Sequence, residues 1–464
     1  MSSGTDLPHL SATELVAAYG TRQLSPVEVT RAILDHILAE NPKVNAFAFL
    51  APADEVLETA RQSERRWAQG TPLGPVDGVP AAIKDLLLTR GWPTLRGSLA
   101  VHAEQPWAED APAVARLREQ GAILLGKTTT AEFGAKGATD TQRHGVTRNP
   151  WNTARTPGGS SGGSAAAAAL GFGPIQIGTD GGGSIRQPAS FTGLVGFKPS
   201  FGLVPGYPAS FRGSLFHVGP LARSVADVAL ILNGIARPDH RDWLSQPHDG
   251  RDWRLGLEGG VTGLRIAFSP DLGYARVNAE VATIIAEATD VFRSLGATVE
   301  QASPGFTDPF DVYYGLSAAG AARLVDSFTP EDRDRIGPNL RAMADAGRKI
   351  DLGAYLGLQD ERAALGRLLE GFHHDWDLLI TPTTANSAPG VDETPGRGFF
   401  TYPFNLTKQP AISIPAGTTA AGLPVGLQIV GPRLHGDSLV LRAARAFERV
   451  HPFTLPKTAK GDRS

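Results

Sequence analysis

Apolar positions set the reading of the first fifty residues. After Ser25, Val29, Ile33 and Ile37 recur every four residues with polar side chains between them, the period of an amphipathic helix. Ser11-Ala-Thr-Glu14 and Ser25-Pro-Val-Glu28 both have the form of a capping box, the second with Pro26 at the first helical position. Asn41-Pro42 is expected to end that second helix. Farther along, a helical pattern over 110–120 is stopped by Gly121 and runs into the apolar stretch 122–125, which reads as a buried strand. The device recurs where a helix over 281–295 stops at Gly296 and 297–299 is extended. Short apolar runs at 264–268, 378–380, 411–414 and 425–430 are further strands, the last two joined by a glycine-containing loop that suits a hairpin. Helices alternating with short apolar strands predict a layered α/β fold, and the hairpin makes its sheet mixed.

No repeat or low-complexity tract divides the 464 residues. A single domain is expected, with a helical segment over about 10–70, a core over about 75–235, a variable region over about 236–400 and a terminal sheet and helix over about 401–455. The chain has 54 glycines and 35 prolines, about a fifth of its length, which together with 41% apolar residues points to many tight turns rather than disorder. A net charge of −3 gives no electrostatic footprint for nucleic acid or an anionic membrane. The absence of cysteine excludes disulfides, thiolate nucleophiles and thiolate-bound metals. The apolar run at 165–173 is far short of the roughly 20 residues that span a bilayer. Met1-Ser-Ser-Gly-Thr-Asp-Leu-Pro8 lacks the charged start and apolar stretch of a secretory leader, so a soluble, cytoplasmic chain is expected.

Three motifs yield to plainer readings. Gly121-Ala-Ile-Leu-Leu-Gly126-Lys127-Thr128 fits the phosphate-loop pattern, but its variable positions form the strand that such a loop should follow, so no nucleotide is expected. The eleven histidines are scattered apart from His373-His374, with no metal-ligand spacing, and no metal is implied. Gly158-Gly-Ser160-Ser-Gly162 satisfies G-x-S-x-G, yet the preceding Asn149-to-Pro157 stretch holds two prolines and reads as a loop rather than the strand a nucleophile elbow needs. Later Asp and His residues leave a Ser-His-Asp hydrolase open as a lesser alternative.

The stretch GGSSGGSAAAAALGFGPIQIGTDGGGSIRQP, residues 158–188, carries the candidate chemistry. Two glycine-rich loops bearing serines flank a small-residue segment suited to a tightly packed helix over 164–170 and a strand over 175–177. A flexible linker does not account for it, because the residues between the loops are apolar and need burial. Buried glycine loops serve close approach of backbone to a ligand. Gly181-Gly182-Gly183-Ser184 can aim successive N–H groups at one anionic oxygen beside a hydroxyl nucleophile. Lys84, at the end of Gly78-Val-Pro-Ala-Ala-Ile-Lys84, is a candidate base, since burial disfavours the ammonium form. On its own, a lysine ending a strand is usually a surface group.

These segments closely resemble the signature of the amidase signature family of serine hydrolases, in the paired GGSSGG and GGSIRQP blocks and the offset between Ser160 and Ser184. Asp77-Gly-Val-Pro-Ala-Ala-Ile-Lys-Asp85 is similar to the family's lysine block. Gly126-Lys-Thr-Thr-Thr-Ala-Glu-Phe133, Arg148-Asn-Pro-Trp151, Gly196-Phe-Lys-Pro199, Gly219-Pro-Leu-Ala-Arg-Ser-Val-Ala-Asp227 and Gly422-Leu-Pro-Val-Gly-Leu-Gln428 resemble its other blocks. The likeness covers most of the chain and is weakest over 239–397, where such enzymes differ by substrate.

The resemblance implies a large mixed sheet covered by helices on both faces, with Ser184 as nucleophile, Lys84 as base and Ser160 relaying a proton between them. It further implies a cis peptide at Gly159-Ser160, an oxyanion hole from the amides of Gly181, Gly182, Gly183 and Ser184, and support from Ser161, Asp180 and Arg186. Gly181 departs from the bulkier residue that relatives commonly carry and is expected to loosen that turn. The activity implied is hydrolysis of a small amide, or of a related C–N bond such as an anilide or carbamate, through an acyl-enzyme. No cofactor is needed, activity falls as Lys84 becomes protonated, and a homodimer is compatible with the resemblance. The alternative is the glutaminase component of a tRNA-dependent amidotransferase complex. Against it, Val312-Tyr-Tyr-Gly-Leu-Ser-Ala-Ala-Gly-Ala-Ala-Arg323 does not resemble the amide-substrate region of that component.

Overall fold

A computed structural model describes residues 6–393 and 396–460. Residues 1–5, part of the stretch read for a leader, lie outside the described residues. Thirteen strands occur among those described: β1 Phe47–Leu50, β2 Pro80–Lys84, β3 Ile123–Thr128, β4 Asp140–Thr141, β5 Gly145–Val146, β6 Ile175–Asp180, β7 Val195–Lys198, β8 His217–Ala222, β9 Arg265–Phe268, β10 Thr298–Gln301, β11 Leu378–Pro382, β12 Ala411–Thr418 and β13 Pro424–Val430. Eleven form one sheet in the order β1-β3-β2-β6-β8-β7-β12-β13-β11-β9-β10, and β4 and β5 pair separately. The sheet is mixed: β3, β2 and β6 run parallel, β8, β7, β12 and β13 alternate in direction, and β11, β9 and β10 run parallel again. Helices cover both faces, as the alternating pattern and the resemblance predicted.

Most local signals hold, and the differences have physical causes. Ser11 forms a full capping box, with Glu14 N donating to Ser11 Oγ (3.1 Å) and Ser11 N to Glu14 Oε2 (2.8 Å). Ser25 caps its helix by accepting from Val27 N (3.0 Å), but its hydroxyl is turned to Glu64, and Glu28 does not close the box. That helix runs over Pro26–Val44, past Asn41-Pro42. Pro42 sits in the last turn, where little helix remains to be disrupted, and the stop comes at left-handed Asn45, whose N–H reaches Asn41 O at 2.7 Å. The segment expected to be helical also supplies β1, whose Phe-Ala-Phe-Leu run pairs with β3 and forms one edge of the sheet. The predicted hairpin is present as β12 and β13.

The sheet places the chemistry at one end of its parallel strands. Ala81 pairs with Ile175 and Ile83 with Ile177, so the carboxyl end of β2, at Lys84, lies beside that of β6, at Thr179 and Asp180. In open parallel sheets such an edge is the usual place for a site. Helix Gly162–Ala169 is buried along its whole length, which its small residues permit, and Ser164 Oγ lies 2.7 Å from Thr128 Oγ1 on β3. Within the literal phosphate-loop match at 121–128, residues 123–128 are strand, and Lys127 Nζ is buried and donates to Leu87 O (2.8 Å) and Thr94 Oγ1 (2.6 Å). No helix among the described residues is long and apolar enough to cross a membrane.

Candidate active site

Lys84 is fully buried, and its Nζ lies 2.7 Å from Ser160 Oγ, 2.8 Å from Ser161 Oγ and 2.8 Å from Thr179 Oγ1. Burial pushes its pKa well below the ordinary lysine range; the negative charge of Asp180 opposes that shift, and the positive charge of Arg212 adds to it. Ser161 Oγ donates to Thr179 O at 3.1 Å, which ties the first serine loop to the end of β6. The peptide between Gly159 and Ser160 is cis. With its amide nitrogen turned inward, Gln187 donates to Gly159 O (3.1 Å) and Gly137 O (3.3 Å).

The second loop leaves β6 at Asp180. Burial alone would raise the Asp180 pKa, but the Arg186 guanidinium outweighs it and keeps the carboxyl ionised far into acid. Arg186 grips that carboxylate through Nε and Nη2, each at 3.0 Å, and its remaining donors reach Gln428 Oε1 (2.8 Å) and Asn405 Oδ1 (2.7 Å). Asp180 also accepts from Gly183 N (2.7 Å) and Ile185 N (3.2 Å), so one carboxylate holds both sides of the turn bearing Ser184. Ser184 O accepts from Ser161 N at 3.2 Å, joining the two serine loops.

The four amides expected to act together divide. Gly183 N–H is committed to Asp180, which corrects its expected place among the oxyanion donors. The N–H groups of Gly181, Gly182 and Ser184 have no partner among the described residues. Ser184 and Gly182 are half-buried and line a pocket of about 130 Å³ with Phe310, Tyr313, Tyr402 and Arg212.

Close packing over the glycines replaces the looseness expected at Gly181. A Cβ there would overlap Arg212 Cδ, and a Cβ on Gly182 would overlap the Tyr313 hydroxyl. Thr401 Oγ1 donates to Gly182 O at 2.7 Å from the other side. Arg212, Tyr313 and Thr401, like Asn405 and Gln428, come from segments remote in the chain, so no spacing in the sequence announced them. Gln428 ends a block that carries the family resemblance, which was the one signal for it, but without a role. Thr179, beside predicted Asp180, is the other contact of Lys84 that sequence reasoning missed.

No histidine hydrogen-bonds to Ser160 or Ser184 among the described residues. Buried His217 instead places its Nδ1 2.9 Å from Leu215 O. No group of His, Asp or Glu side chains among those residues is arranged to hold a metal ion.

Residues 28–441 match the model of the amidase family. The chain is 37% identical to an acylamidase of Rhodococcus erythropolis over 98% of both chains. It is 35% identical to the A subunit of a glutamyl-tRNA(Gln) amidotransferase from Chloroflexus aurantiacus over 96% of this chain and 97% of that one. The crystal structure of a bacterial aryl acylamidase of the amidase signature enzymes superimposes with a TM-score of 0.89 at 32% identity, covering 96% of each chain.

Proposed function

We propose, from the premise that the chain belongs to the amidase signature family, that it is a free-standing amidohydrolase cleaving the C–N bond of a small carboxamide through a serine acyl-enzyme. One observation carries the mechanism: a buried lysine with a depressed pKa, 2.7 Å from Ser160 Oγ, at the base of the loops that present Ser184 to a pocket.

Proton bookkeeping supports Ser160 as the relay. A neutral amine offers two N–H groups and one lone pair to three hydroxyls. Ser161 gives its own proton to Thr179 O, so its oxygen takes one N–H of Lys84. In the proposed arrangement Thr179 Oγ1, 2.8 Å from Nζ, takes the other, which leaves the lone pair for the Ser160 proton across the 2.7 Å contact. In the proposed reaction Lys84 accepts that proton while Ser160 accepts one from Ser184, whose Oγ attacks the amide carbonyl. The oxyanion is received by the free N–H groups of Gly181, Gly182 and Ser184. The proton returns through Ser160 to the departing amine, and water cleaves the acyl-enzyme by the same relay.

The acylamidase and aryl acylamidase among the relatives support simple amides and anilides as substrates. Carbamates, whose C–N bond the same chemistry opens, a cytoplasmic location and a homodimer belong to the proposal on the family resemblance alone. Incubation of the purified chain with primary amides, anilides, carbamates and ureas, read by release of ammonia or amine, tests it. Turnover without partner proteins is expected. Turnover only in the presence of partner proteins would assign the chain to an amidotransferase instead.

A further inference from the structure

A cation without a carboxylate partner among the described residues faces the pocket, its guanidinium 4.9 Å from the Phe211 ring centroid and 5.6 Å from that of Tyr313. Arg212 is 9% exposed, and its Nη1 donates to Tyr313 Oη (3.0 Å) and Ser317 Oγ (2.7 Å). Nη2 reaches Gly134 O only at 3.5 Å, and Nε has no hydrogen-bond partner among the described residues. No carboxylate of those residues lies at ion-pair distance from it. The contrast with Arg186 is direct, since that guanidinium is surrounded by Asp180, Asn405 and Gln428. No Asp or Glu of the described residues lines the pocket, and Lys136, which also lines it, is paired with Asp140.

A guanidinium withdrawn from water without a counter-ion is unfavourable, and its planar fork suits a carboxylate better than any other small group. Its place here depends on residue 181 lacking a side chain, because a Cβ would occupy the position of Arg212 Cδ. Beside it stand Phe310, Tyr313 and Tyr402, the two tyrosine rings stacked with centroids 5.0 Å apart, which offer an apolar wall to the rest of a ligand.

We infer that Arg212 is a specificity-determining residue that receives a carboxylate carried by the substrate, so that the favoured substrates are small amides bearing an acidic group beside an apolar or aryl body. This rests on the amidase reading above and narrows its substrate class.

The test compares acetanilide with succinic monoanilide, acidic on the acyl side, and with 3-acetamidobenzoate, acidic on the amine side, in the wild type, Arg212→Gln and Arg212→Lys. A charged hydrogen bond of this kind corresponds to about tenfold or more in kcat/KM. The wild type should favour one acidic substrate over acetanilide by that factor. Arg212→Gln should collapse the ratio toward one, chiefly by raising KM for the acid, and Arg212→Lys should retain part of the preference. Equal wild-type rates on all three, or a Gln variant that lowers acidic and neutral rates by the same factor, overturns the inference and leaves Arg212 as a brace for the Tyr313 helix. If no amide is turned over, the amidase reading fails, and thermal shift decides the inference separately. Benzoate, but not benzamide, should then raise the Tm of the wild type and not of Arg212→Gln; no benzoate shift overturns the inference.

Discussion

Lys84 Nζ and Ser160 Oγ stand 2.7 Å apart, both buried, and no carboxylate of the described residues lies at ion-pair distance from the amine. A lysine held this way is poised as a neutral base, because desolvation lowers its pKa more than the nearby charge of Asp180 raises it.

Activity should therefore follow the deprotonation of Lys84. The logarithm of kcat/KM is expected to rise with unit slope as pH increases through its folded pKa and then level off. A pH–rate profile checks this; a rate independent of pH on the acid side would remove Lys84 from the role of base.

The same group links stability to pH. Between its folded pKa and the ordinary value of 10.5, the unfolded chain holds a proton that the folded chain lacks. Lys84 is therefore most unfavourable to folding at low pH, and this penalty fades as pH rises through the window. The Tm of the wild type relative to Lys84→Met should move in favour of the wild type from about pH 6 to about pH 9. A constant difference would mean that Lys84 is charged in the folded state.

Asp180→Asn removes the charge that neutralises buried Arg186 and weakens the hold on the Ser184 turn. Breaking one partner of such a pair costs about 3–5 kcal/mol. Urea unfolding at neutral pH should show a loss of that order. The Asp180 pKa is lowered in the folded state, so its contribution is full above the unfolded pKa and falls away in acid, and the gap between wild type and variant should narrow there.

Gly181→Ala tests the packing over the second loop. The new methyl meets Arg212 Cδ, which must shift together with its bond to Tyr313. A displacement of about 1 Å near the reacting groups lowers kcat/KM by up to about 10²-fold. Steady-state kinetics should show the loss with the circular dichroism spectrum unchanged; wild-type kinetics would mean that Arg212 moves freely.

Local structure was largely legible in the sequence, because caps, apolar periods and glycine stops act within a few residues. The strand read over 175–177, which runs to Asp180 in the structure, and the small helix before it were visible for this reason. The exit from the second helix was not, since Pro42 in a last turn leaves the stop to Asn45. At the site, Lys84, Ser160 and Ser184 stood out through long motifs, whereas Asn405, Gln428 and Tyr313 reach it from other parts of the sheet and its helices and Arg212 from a turn. Side chains that meet only through tertiary packing leave no spacing to read. The division of the glycine amides was hidden too, since the role of Gly183 depends on where the Asp180 carboxylate points.

Acyl transfer to Ser184 under the control of Lys84 is most directly tested by trapping. The enzyme is mixed with an activated aryl ester that deacylates slowly, quenched, and analysed by intact and peptide mass spectrometry alongside Ser184→Ala and Lys84→Ala. One acyl group on the peptide containing Ser184 is predicted, absent in Ser184→Ala and formed about 10²–10⁴-fold more slowly in Lys84→Ala near neutral pH. An adduct on another residue, or acylation of Lys84→Ala at the wild-type rate, would contradict the account.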